Sequence, residues 1–242
     1  MVTPRLAPAR LPPDQRVYAI GDVHGCLDRL QAMHALIADD LAGRPVADAL
    51  LIHLGDYIDR GPDSAGVIRH LLRPFPGHAG VAPPTVVNLM GNHEAMLLHV
   101  LETGKRRAAA EWLRNGGGET LASWKLSWRD RPGVWAERIA PAELGFVRGL
   151  GPMHRAGGYV FVHAGLRPGI GLAEQTRHDM LWIREPFLSS GSALPGVVVH
   201  GHTPEDAPVV RANRIGIDTG CVLGGKLSCV VLENDTMAFL QT

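Results

Sequence analysis

Cysteine is scarce: three residues in 242, Cys26, Cys221 and Cys229, an odd number with no C-x-x-C pair. That excludes a disulfide framework, argues against a thiolate zinc site, and predicts a reducing, cytoplasmic compartment. Net charge is missing as well. Lys and Arg total 24 and so do Asp and Glu, so no strong field gathers a nucleic-acid backbone or an anionic membrane, and neither is expected as a partner. No apolar run approaches the ~18–20 residues of a membrane span. Met1 to Gln15 is rich in Pro and Arg, lacks an apolar signal core, and is expected to be flexible. A single domain of this length buries about 70–75% of the surface its unfolded chain exposes, so it needs no covalent staples. What the chain has in quantity is histidine, twelve residues. Neutral imidazole is the commonest metal ligand, so their positions matter.

The apolar run Val17 to Ile20 stops at Gly21 and is followed by Leu27, Leu30, Met33, Ile37 and Leu41 at helical spacing. The pattern reads strand, loop, helix. It recurs at Ala49–Leu54, with Asp63 or Ser64 as N-cap of a helix carrying Val67, Ile68 and Leu71, and again at Thr85–Met90 before Met96, Leu97, Val100 and Leu101. Three such units predict an α/β architecture. Residues 104–150 hold most of the Trp, the basic run Lys105-Arg106-Arg107 and Gly116-Gly117-Gly118, with no convincing strand; they are expected to form a helical insertion or cap. Strands return at Tyr159–Val162, Val197–Val199, Ile215–Ile217 and Leu227–Leu232, with Asn234-Asp235 as a hairpin turn into Met237–Leu240.

Five strands end in glycine beside metal-binding side chains: Gly21-Asp22-Val23-His24-Gly25, Gly55-Asp56 through Asp59-Arg60-Gly61, Gly91-Asn92-His93-Glu94, His163-Ala164-Gly165 and Gly201-His202-Thr203-Pro204. In open α/β sheets, sites form outside the carboxyl ends of strands, so these loops are expected to meet. Asp22 and His24 are two apart in extended chain and share a side. The candidate ligands Asp22, His24, Asp56, Asn92, His163 and His202 provide three oxygen donors and three imidazoles, too many for one open site and suited to two ions sharing a carboxylate. Such a set fits Mn, Fe or Zn. Two such ions ~3.5–4 Å apart would lower the pKa of a shared water from 15.7 towards ~7 and clamp an in-line phosphoryl displacement, making hydroxide the nucleophile.

In this order, the motifs G-D-x-H-G, G-D-x-x-D-R-G, G-N-H-E, H-A-G and G-H-T resemble the phosphoprotein phosphatase branch of the calcineurin-like metallophosphoesterases, above all the compact bacterial and phage Ser/Thr phosphatases. The resemblance spans roughly residues 17–232. It implies two packed mixed β-sheets flanked by helices, with Asp22, His24 and a bridging Asp56 on one metal, and Asp56, Asn92, His163 and His202 on the other, manganese being the expected ion. It further implies that Arg60, Arg184 and Asn92 hold phosphoryl oxygens, and that His93 paired with Asp59 protonates the leaving oxygen. The chemistry agrees: guanidinium forks match phosphate oxygens, and a positioned imidazolium is worth about 10²–10⁴-fold on a poor leaving group.

Other residues have plainer readings. His53 is expected in the core; His200 either faces the site beside His202 or finishes its strand. His34, His70, His78, His99, His154 and His178 are expected at the surface. Glu94 is read as support for its helix, favourable at the N-terminus. Asp179 either orients Arg184 or caps a turn. Trp112, Trp124, Trp128 and Trp135 are expected to pack the insertion, and Cys221 and Cys229 to be structural. Three functions follow: hydrolysis of phosphomonoesters, foremost phosphoserine and phosphothreonine proteins; symmetric hydrolysis of diadenosine tetraphosphate, by a family sharing the same metal motifs; or an idle metal-binding module, which should have lost some of Asp59, Arg60 or His93. Thr203 after His202 resembles the phosphatases, since the dinucleotide hydrolases usually carry Trp there.

Overall fold

The computed structural model describes residues 4–242. In chain order the first strands are β1 (Arg5–Leu6), β2 (Gln15–Ile20), β3 (Asp48–His53), β4 (Thr85–Asn88), β5 (Met153–Ala156) and β6 (Tyr159–Val162). They continue with β7 (Val197–His200), β8 (Val209–Val210), β9 (Arg214–Gly216), β10 (Ser228–Glu233) and β11 (Thr236–Gln241). The helices that matter for the site are α1 (Leu27–Gly43), α2 (Ser64–Leu71) and α3 (Asn92–Thr103). The insertion follows with α4 (Arg106–Trp112), α5 (Gly118–Ser123), α6 (Pro132–Arg138) and α7 (Pro141–Arg148), and α8 (Arg177–Trp182) closes the set. As expected, Asp63 caps α2, its carboxylate accepting from the Gly66 amide.

The strands form two mixed sheets. One runs β1-β11-β10-β2-β3-β4, with β2, β3 and β4 parallel; the other runs β5-β6-β7-β9-β8, with β6, β7 and β9 parallel. The period of two in each strand explains why the sheets stack. Val17 and Ala19 of β2, Leu50 and Ile52 of β3, Tyr159 and Phe161 of β6, and Val197 and Val199 of β7 meet in one cluster between the sheets. Their alternates point outward. Tyr18, Ile20 and Leu51 pack under α1, α2, α3 and the insertion, while Val160, Val162 and Val198 pack under α8. Strands buried on both faces, with helices outside each sheet, give the four-layer arrangement expected.

Three expectations are corrected. The N-terminal stretch is held down: β1 pairs with β11, the Ala7 and Leu11 amides donate to Asp235 and Asn234 carbonyls at 2.8 Å, and Leu11 is buried in the inter-sheet cluster. Its Pro and Arg content masks the few apolar residues that anchor it; residues 1–3 lie outside the described residues. His34 is buried, not at the surface. Its Nε2 lies 2.9 Å from His53 Nε2 and its Nδ1 3.0 Å from Nε2 of the half-buried His70, a relay of three rings. His53 is in the core, as expected. In the insertion, Trp112 and Trp135 are fully buried with rings 5.8 Å apart, and Trp124 donates to Glu143; Trp128 is instead 60% exposed beside Arg129.

Candidate metal centre

The loops leaving the carboxyl ends of β2, β3, β4, β6 and β7 carry Asp22, His24, Asp56, Asn92, His163 and His202 to one buried place. Reaching it bends the backbone. Of eight non-glycine residues with positive φ among the described residues, five are His24, Asp56, Asp59, Arg60 and His202; such conformations are unfavourable for side-chain-bearing residues and concentrate at functional sites. Gly61 permits the tightest approach, since a Cβ there would lie 1.8 Å from the His24 carbonyl oxygen.

Asp56 is the hub. Its Oδ2 lies 3.4 Å from His24 Nε2 and 3.9 Å from His93 Nε2, while its Oδ1 lies 3.4 Å from His163 Nε2. Two groups of close donor atoms therefore share this carboxylate: His24, Asp56 and His93, and Asp56, His163 and His202. Asn92 Oδ1 joins the second, 2.8 Å from His163 Nε2 and 2.9 Å from His202 Nδ1. Asp22 is fixed from behind, its carboxylate accepting the His202 amide at 3.0 Å, and it falls outside both groups. His93 falls inside the first.

The donor chemistry fits divalent cations. His163 Nδ1 is bonded to the Leu54 carbonyl and His24 Nδ1 to the Ile58 carbonyl, so each must donate there. In the neutral ring that leaves Nε2 a bare lone pair. His163 Nε2 then faces the oxygens of Asn92 and Asp56, acceptors with no proton among them, and His202 Nε2 is buried with no partner at all. Burial keeps these rings neutral, pulling His24 down to about 4 and His202 to about 3. Burial, Asp218 and Asp56 together push Asp22 well up, and burial raises Asp218 to about 6. Converging lone pairs and crowded buried carboxylates carry a large desolvation cost unless cations occupy the space between them.

Beside this hub, His93 Nδ1 lies 2.7 Å from Asp59 Oδ2. Burial pulls the His93 pKa down, but Asp56 and Asp59 outweigh it and the net shift is upward. Arg60 Nη1 reaches His24 Nε2 at 3.0 Å, and the exposed Arg184 sits close enough for its charge to lower His163 and His202, with its guanidinium unpaired among the described residues.

Several contributors escape motif reading. The insertion supplies two donors to Asp59: Trp112 Nε1 at 2.8 Å and Thr120 Oγ1 at 2.7 Å; in addition, the Gly116 carbonyl accepts the Arg60 amide at 3.1 Å. Gly116 allows this contact because a Cβ would lie 2.6 Å from Arg60 N. Glu94 supports more than its helix. Its carboxylate accepts the amides of Asp56, Tyr57, Ile58 and Gly91 at 2.8–3.2 Å, clamping the loop that aims the hub. His200 finishes its strand, Nδ1 on the Gly201 carbonyl and ring against Phe187. Asp179 binds Arg167 through both oxygens, at 2.9 and 2.6 Å, rather than Arg184.

A family model for calcineurin-like phosphoesterases matches residues 15–233. Serine/threonine-protein phosphatase 1 of Salmonella typhimurium is 31% identical over 230 residues, covering 90% of this chain and 93% of that protein. A symmetrical bis(5'-nucleosyl)-tetraphosphatase of Acidovorax sp. is 27% identical, covering 88% and 91%. The same fold is found in a crystal structure whose protein carries a provisional diadenosine tetraphosphatase name, at TM-score 0.64 and 23% identity over 96% of this chain and 98% of that one. With the shared carboxylate, the imidazole set and the sheet order all in place, the chain belongs to the calcineurin-like phosphoesterase family and is a phosphoester hydrolase.

Proposed function

We propose that the protein, a single catalytic unit working in the cytoplasm, removes phosphate from phosphoserine and phosphothreonine side chains. Two divalent ions, manganese foremost with iron or zinc compatible, are held by Asp22, His24, Asp56, Asn92, His163 and His202. Bound there, such ions lower the pKa of a water towards ~7 and offset charge on the phosphoryl oxygens. The chain's own residues do the rest. Arg60 and Arg184 offer planar forks to the equatorial oxygens, holding the ester in line. Asn92 turns its oxygen to His163 and His202, leaving its amide N–H for the phosphoryl group. His93 donates from Nε2 to the departing oxygen while Asp59 fixes Nδ1 and steadies the imidazolium.

The observation that carries the monoester reading is that raised, buried imidazole on its carboxylate. A serine or threonine alkoxide departs poorly without a proton, whereas a nucleoside diphosphate leaves readily as an anion. The higher identity to the Salmonella protein phosphatase supports the same ranking. Side-by-side turnover of a phosphopeptide panel and diadenosine tetraphosphate by the Mn-loaded protein tests it: higher kcat/KM on the phosphopeptides is expected, and preference for the dinucleotide overturns the assignment.

A further inference from the structure

A cavity of about 460 Å³ lies between α1, α2, the edge strand β4 and the loop 72–84, and none of the proposed metal ligands lines it. Its floor follows from register. Leu51 and His53 of β3 stand beside Val86 and Asn88 of β4, and the period of two turns all four side chains to one face. Pro74, Pro76, Pro83 and Pro84 stiffen the loop wall. Phe75 pins that loop by packing on His34, ring centroids 5.1 Å apart, and His78 pins it by meeting Asp39 of α1 at 2.9 Å. A wall built in advance lowers the ordering cost of binding.

Two polar atoms in this apolar setting lack a partner. His53 Nδ1 and Asn88 Oδ1 are buried with no hydrogen bond among the described residues, although burial pulls the His53 pKa down and Asn88 lies close enough to offset part of that. His53 itself is 1% exposed. The relay decides what its ring can offer. Three neutral imidazoles share two internal hydrogen bonds, His70 with His34 and His34 with His53, and so keep one N–H for an end of the chain. When His70 Nε2 donates to His34 Nδ1, and His34 Nε2 to His53 Nε2, that proton sits on His53 Nδ1. The floor then presents a donor beside the Asn88 acceptor. A hydroxyl pairs both at once, accepting from the ring and donating to the amide oxygen; an ether or a carbonyl cannot. The one charged side chain on the lining, Arg73, is exposed, so an ionised head at the buried floor would meet no counter-ion.

We propose that this cavity binds a small hydroxylated aromatic molecule, its rings against the proline wall, Leu51 and Val86, its neutral hydroxyl held by His53 Nδ1 and Asn88 Oδ1. The volume, the mostly apolar walls and the few converging polar groups are those of a small-molecule site. The site is separate from the phosphoester chemistry.

The test titrates the metal-containing protein with 2-naphthol and with its methyl ether, following the imidazole ¹⁵N signals by NMR. Saturable binding of 2-naphthol that moves the His53 and His34 signals is expected. The ether keeps the rings but has no O–H for Asn88 Oδ1, and is expected to bind at least about tenfold more weakly. Asn88→Leu should bring the two probes to within about twofold of each other. Val86→Trp, at a position 40% exposed, is expected to block 2-naphthol while turnover of p-nitrophenyl phosphate stays unchanged. No saturable binding of 2-naphthol, equal affinity for the ether, or binding that survives Val86→Trp overturns the assignment. The comparison of the two probes needs only the wild type, so it decides even where a variant folds badly, and no outcome depends on the natural substrate.

Discussion

Asp59 and His93 are joined at 2.7 Å, Oδ2 to Nδ1, in a place where the carboxylate is wholly buried and the ring nearly so. The pair sets the ring's orientation and favours its cation, leaving Nε2 as the proton-bearing end. Replacing His93 with alanine is expected to leave two metals bound and to slow a phosphoserine peptide by about 10²–10⁴-fold. Turnover of p-nitrophenyl phosphate, whose leaving group needs no proton, is expected to fall far less. Equal slowing of both substrates removes His93 as the acid.

Asp56 serves both donor groups, so its loss cannot be confined to one. Asp56→Asn removes the charge that two buried clusters share and is expected to abolish turnover together with metal content, measured by elemental analysis after dialysis. Retention of two metals per chain contradicts a shared role.

Glu94 gathers four backbone amides. Each buried donor left without an acceptor costs about 1–3 kcal/mol, so Glu94→Ala is expected to lose more than about 4 kcal/mol of stability in denaturant unfolding. A loss under about 1 kcal/mol would mean that water replaces the carboxylate.

The relay His53, His34 and His70 is neutral in the fold. Burial holds His53 down to about 4, while burial and the neighbouring rings hold His34 lower still; burial also lowers His70. The unfolded chain takes up these protons first, so stability contributed by the neutral rings is intact above pH ~6.5 and falls as pH drops towards 4, by about 1.4 kcal/mol per unit per histidine. His34→Leu is expected to flatten the stability profile between pH 6 and 4. An unchanged slope shows that the relay does not titrate with unfolding.

Much of the candidate site was legible because each proposed ligand sits in the loop that opens where a strand's apolar run stops. Asp22, Asp56, Asn92, His163 and His202 all follow that rule, and their loops do meet. The partners of Asp59 obey no such rule. Trp112 and Thr120 are 53 and 61 residues away in a segment whose own pattern says only helix. The burial of His34 was available in the periodicity: it lies four after Leu30 and three before Ile37, on the buried face of α1. Polarity argued for the surface, but two further imidazoles were waiting to receive it. Strands β1 and β8, two residues each, are too brief for alternation to register, and β5, as long as β6 and β7, hides its pattern behind the polar His154 and Arg155.

The insertion reaches the proposed acid pair through Trp112 and Thr120, and it braces Arg60 through Gly116. The insertion and the proposed acid pair are therefore built as one block. A chimera that borrows a relative's insertion also replaces the two donors that hold Asp59, and so changes the setting of the proposed proton donor His93.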